Sequence, residues 1–187
     1  MLYKVLYLNH HHAPNLMTQI MKPLKLSLLA MVFLLSFISC SEEDMASEIT
    51  EDYTIDLNLA KETNWEMAEE ITYYINQHRA SVGLNPIVID QQHASAYAVE
   101  HTKYMIAIEN MNHDNFYYRQ QALTYQGAQR VGENVAFGYQ DGQSVVRAWL
   151  NSPSHKRNIE GDYTHSGFGI MQNSNGSYYF TQLFYKN

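Results

Sequence analysis

The chain has 187 residues, 45% hydrophobic and 17% charged, a length and composition that make one domain with a core and argue against two. Its net charge of -7 is unevenly placed: residues 41–64 hold eight acidic side chains against the single Lys61, while residues 65–187 hold eleven acidic and eight basic. A nearly neutral domain without a basic stripe argues against nucleic acid as a partner, and one cysteine, Cys40, excludes an intrachain disulfide.

Lys22 and Lys25 precede an apolar run from Leu26 to Ile38, closed by Ser39 and Cys40. That order of positive, apolar and small residues describes a secretory signal, and the run is short of the roughly 20 residues that span a bilayer. Phe37-Ile38-Ser39-Cys40 resembles a bacterial lipobox, with Phe37 in place of the usual Leu. The resemblance implies lipidation of Cys40, and Ser41-Glu42-Glu43-Asp44 resembles the signal that sends some lipoproteins to the outer surface. The expected organisation is therefore 1–20 as a mis-assigned start before Met21, 21–39 as signal peptide, and 40–64 as lipidated cysteine with acidic linker. Residues 65–187 form the domain. The expected location is extracytoplasmic: an outer-membrane lipoprotein, exposed at the cell surface, with its lipid in the membrane.

From Trp65, apolar residues at Ala68, Ile71, Ile75 and Val82 follow helical spacing, ended by Gly83 and Pro86. Asp90 is a good cap for a second helix, whose inner stripe runs Ala94, Tyr97, Ala98, His101, Met105 and Ile108. Met111 to Gly142 reads as loop-rich. A third helix is expected from Ser144 to Leu150, stopped at Pro153. Gly167–Met171 and Tyr178–Tyr185 read as strands joined by Asn173-Ser174-Asn175-Gly176, which has hairpin-turn chemistry. Helices followed by late antiparallel strands predict an α+β layered domain.

Three loop or element-end residues carry candidate chemistry: His113, Glu133 and His155. Imidazole and carboxylate together suit a divalent ion such as zinc, or general acid–base work. Their spacing is no local metal motif, and separate capping and hydrogen-bonding roles are the alternative. Asn76 and Arg79 are expected to pair with nearby loops, and His101 to be a hydrogen-bonded core histidine. Ser152, Ser154 and Ser166 near His155 make no triad by adjacency alone.

Ile75 through Arg79 with Gly83–Pro86, then Ala94 through Met105, His113, Arg119, Val131 through Ala136 and Gly138 recur in the order of a known family. So do Val146, Trp149 through His155, Arg157-Asn158-Ile159, Gly167-Phe168-Gly169 and Tyr179 through Phe184. The chain resembles the CAP superfamily, that of cysteine-rich secretory proteins, antigen 5 and pathogenesis-related proteins of group 1, in its cysteine-free bacterial (SCP-like) branch. The resemblance implies a three-layer α-β-α sandwich around a central antiparallel sheet, with a cleft of two histidines and two acids that in some members holds a divalent cation. His113 and Glu133 match two of those positions. Tyr179 stands where the second histidine would be, Ser152 where the second acid would be, and His155 belongs to the bacterial pattern.

Two functions follow. One is a ligand- or partner-binding module, using the cleft or a Tyr-rich flank (Tyr117, Tyr118, Tyr125, Tyr139, Tyr178, Tyr179) for a small apolar ligand, a glycan or a protein. The other is a metal-assisted hydrolase of peptide or cell-wall bonds, with water activated on a metal held by His113, His155 and Glu133, or with Glu133 as base.

Overall fold

The structure, a computed structural model, describes residues 53–187. The start at Met21, the export segment, Cys40 and the first part of the acidic stretch lie outside the described residues. A short 3₁₀ helix (Leu57–Glu62) is followed by α1 (Trp65–Ser81), β1 (Val88–Ile89), α2 (His93–Ala107), α3 (Phe116–Tyr125) and β2 (Arg130–Phe137). Then come α4 (Gly142–Asn151), α5 (Pro153–Ile159), β3 (His165–Gln172) and β4 (Tyr178–Lys186). No described helix is long and apolar enough to cross a membrane.

The sheet runs β1-β3-β4-β2. The β3–β4 hairpin is antiparallel, as expected, β4 also pairs antiparallel with β2, and the two-residue β1 joins the other edge in parallel with β3. Side-chain alternation along these strands divides the core in two. Phe168, Ile170, Phe180 and Phe184 pack with Ile71 and Ile75 of α1, Val146 and Trp149 of α4 and Ile159 of α5. On the opposite face Val131 and Leu183 meet Tyr97 and Ala98 of α2 and Leu123 of α3. The sheet is thus sandwiched between two helical layers.

α1 forms where Asn64 caps it, its side chain accepting from the Met67 amide at 3.1 Å, and it ends before Gly83, whose φ of +77° a side chain would disfavour. α2 begins at His93, and Asp90 still holds its first turn by accepting from the Gln92 and Ala94 amides at 2.8 and 3.0 Å. Gly167 and Gly169 let α2 lie directly on β3. A Cβ on either would overlap the α2 backbone, at Ala94–Ser95 and at Ala98–Val99.

Three expectations need correction. Residues 111–142 are not a loop, because α3 and the eight-residue β2 lie within them. The helix expected to stop at Pro153 does break there, but Pro153 starts α5: its fixed φ and missing N–H suit a first helical turn. The acidic segment 40–64 is not wholly a solvated linker. From residue 53 it belongs to the domain, with Tyr53 and Ile55 against the α2–α3 core, Ala60 buried, and Thr63 Oγ1 accepting from the Ile170 amide at 2.8 Å.

Candidate functional site

β2 is one of the two edge strands, and its successive side chains reach the two helical layers in turn. Glu133 points towards α3, where Arg119 meets it as a fork: Nε donates to Oε2 at 2.8 Å and Nη2 to Oε1 at 2.9 Å. Both side chains are buried, 4% and 1% exposed. Arg119 Nη1 also donates to the Asp114 carbonyl at 2.7 Å, which ties the guanidinium to the segment carrying His113. His113 Nδ1–H then donates to Glu133 Oε1 at 2.7 Å. Its ring is half-exposed, so the Nε2 edge is left for a ligand or solvent.

Asn134, the next residue on β2, points to the other layer and positions α5. Its Nδ2 donates to the His155 carbonyl at 3.3 Å, and Asn158 Nδ2 donates to Asn134 Oδ1 at 2.9 Å and to the Glu133 carbonyl at 2.8 Å. His155 thereby stands in the first turn of α5, on the far side of β2 from Arg119. Its imidazole makes no hydrogen bond to any described residue. Burial, aided by the charge of nearby His113, pushes its pKa below the ordinary histidine value, which favours the neutral ring. Next to it lies a groove of about 330 Å³ walled by Val135, Phe137, Tyr139, Ala148 and Trp149.

The structure therefore groups His113 with Glu133 and places His155 within electrostatic reach of His113. Sequence reasoning gave Arg119 no role in the site. No local sequence signal marked it, since its burial on α3 is visible only in the fold. Tyr179, at the position of the implied second histidine, is buried against Phe137 with ring centroids 4.4 Å apart, and Ser152 bonds to Ser154 at 3.1 Å. Arg79 spends its donors on the carbonyls of Asn85, Ile159, Gly161 and Tyr163, Asn76 bonds both ways with Ile87, and His101 Nε2–H donates to the Asn112 carbonyl at 2.9 Å.

The donor set bears on the implied metal. Both oxygens of Glu133 accept hydrogen bonds from cationic or N–H donors, and binding an ion would pull them from a buried guanidinium. His113 Nε2 and His155 remain, two donors where zinc takes three or four protein ligands. Among the described residues, no three His, Cys, Asp or Glu side chains are grouped to hold a metal ion. A three-ligand site of His113, Glu133 and His155 does not fit this arrangement.

A helix-covered sheet with a histidine–glutamate pair at its open edge defines a class of α-β-α sandwich domains. Residues 72–184 match the cysteine-rich secretory protein family, CAP, and the chain belongs to it. It is 26% identical to an outer surface protein from Borrelia burgdorferi, with a TM-score of 0.58 over 65% of this chain and 93% of that one. An extracellular protein containing an SCP domain from Bacillus anthracis gives 27% identity and a TM-score of 0.57, over 67% of this chain and 41% of that one. Two Bacillus subtilis relatives are also similar. The uncharacterized membrane protein YlbC is 42% identical over 31% of this chain, and the uncharacterized protein YkwD 27% over 56%. The matches span only 16% and 42% of those two proteins' lengths.

Proposed function

We propose that this chain is a lipid-anchored, extracytoplasmic CAP domain that binds a small ligand or partner segment with an apolar part, in the cleft formed by His113, His155 and the adjoining groove. The observation that carries this reading is the commitment of Glu133 to Arg119 and His113. A carboxylate held that way is a poor base and a poor ligand, but it fixes His113 with its Nε2 edge outward. The groove supplies apolar area and the two imidazoles supply orientation, the usual division of labour in a binding pocket. Export through residues 21–39 and lipidation at Cys40 would hold the domain at the outer membrane, exposed at the cell surface.

The test uses 1-anilinonaphthalene-8-sulfonate, an apolar ring system with one anionic head. Saturable fluorescence is expected, weakened about tenfold by Ala148→Trp, which fills the groove, and weakened also by His155→Ala. Absence of saturable binding would sink the cleft as a binding site. Turnover of peptide or cell-wall substrate that disappears in Glu133→Gln would make the protein a hydrolase instead.

A further inference from the structure

A second pocket, of about 470 Å³, opens between α2 and the start of α3 and is lined by Glu100, His101, Tyr104, Asn115, Tyr118 and Arg119. It shares Arg119 with the His113–Glu133 relay and none of its other residues. Its polar groups are of both kinds. His101 is 3% exposed and gives its Nε2–H to the Asn112 carbonyl, so the neutral ring leaves Nδ1 as a bare acceptor. Burial and the charge of Arg119 favour that neutral ring. Arg119 uses three of its five N–H groups on Glu133 and Asp114, which leaves one on each Nη. Glu100 is exposed and hydrogen-bonds to no described residue, and Asn115 uses its side chain for no capping bond. Tyr104, 37% exposed, and Tyr118 supply aromatic surface beside them.

The charges select among ligand classes. An anion would be repelled by the exposed carboxylate of Glu100, and the guanidinium of Arg119, already paired with Glu133, holds no free positive charge to offset it. A neutral ring bearing several hydroxyls suits both, because each hydroxyl donates to one wall and accepts from another while its C–H face covers a tyrosine. We propose that the α2–α3 pocket is a saccharide-binding site that takes a neutral sugar ring against Tyr104 and Tyr118, hydrogen-bonded by Glu100, His101, Asn115 and Arg119. The site is separate from the histidine cleft, and either can fail without the other.

Saturation-transfer NMR on the full chain tests this, with chitotriose, cellotriose and maltotriose as neutral probes, spermidine as the cation and glucuronate as the anion. Transfer to at least one neutral probe is expected, weakened about tenfold in Glu100→Ala and in Tyr104→Ala, side chains at the surface whose removal leaves the core intact. Circular dichroism of both variants should match the parent chain. Two results overturn the proposal: no transfer to any of the three neutral saccharides, whether or not spermidine or glucuronate shows it, or transfer that both variants retain in full.

Discussion

Glu133 carries three hydrogen bonds from two side chains at a position 5% exposed, and its surroundings decide what it can do. A buried ion pair is weak evidence of net stabilisation, since desolvation offsets much of the attraction, yet removal of one partner leaves an uncompensated charge. Arg119→Met should therefore destabilise the domain by about 3–5 kcal/mol in urea unfolding. The double variant Arg119→Met with Glu133→Gln should recover a large part of that loss, because no charge is left stranded. A single variant as stable as the parent chain would show that the pair is solvated in solution and that Glu133 is freer than its geometry implies.

Elements were legible in the sequence where their burial followed one clean period. α1 shows this, with Met67, Ile71 and Ile75 buried four residues apart. α2 is buried continuously from Ala94 to Val99, and β3 and β4 on both faces; these were legible instead through Asp90 and through the Asn173–Gly176 turn, which closes between the Gly176 amide and the Asn173 carbonyl at 3.0 Å. α3 was not legible. Its buried positions are Arg119, Ala122 and Leu123, while Tyr117 and Tyr125 are 70% and 79% exposed, so no apolar stripe announces it. β2 was hidden for a different reason: it is buried on both faces and interrupted by Glu133 and Asn134, so neither alternation nor a continuous apolar run survives. The site followed the same division. His113, Glu133 and His155 were found by residue type and by likeness to a family, but the Arg119 clamp needed the fold that brings α3 over β2. The segment before α1 was missed because its acidity outweighed a few anchoring contacts. Those contacts give a prediction. A chain begun at residue 65 should be less stable than one begun at residue 53 by about 2 kcal/mol or more in urea, from the lost burial of Tyr53, Ile55 and Ala60 and the lost Asn64 cap. Equal stability would return residues 53–64 to the role of linker.

At the scale of the whole molecule, the described residues hold no cysteine, so no disulfide among them reinforces the two-sided core. Under the proposed lipidation, attachment depends on Cys40. Cys40→Ser should move the protein from the membrane fraction to the soluble extracytoplasmic fraction, read by fractionation and immunoblot, without altering urea unfolding of the domain. Retention in the membrane fraction would require another mode of attachment. Lipid-anchored proteins are crowded on a surface, and under the proposed anchoring the edge strand β2 acquires a meaning apart from the cleft. An unpaired strand edge offers its backbone to any neighbouring chain and so seeds aggregation. In this domain Asn158 Nδ2 donates to the Glu133 carbonyl and Trp149 Nε1 donates to the Val135 carbonyl at 3.1 Å. Two successive outward acceptors of the edge are thus already occupied by side chains of α5 and α4, and a second copy finds no continuous ladder on which to add its own strand.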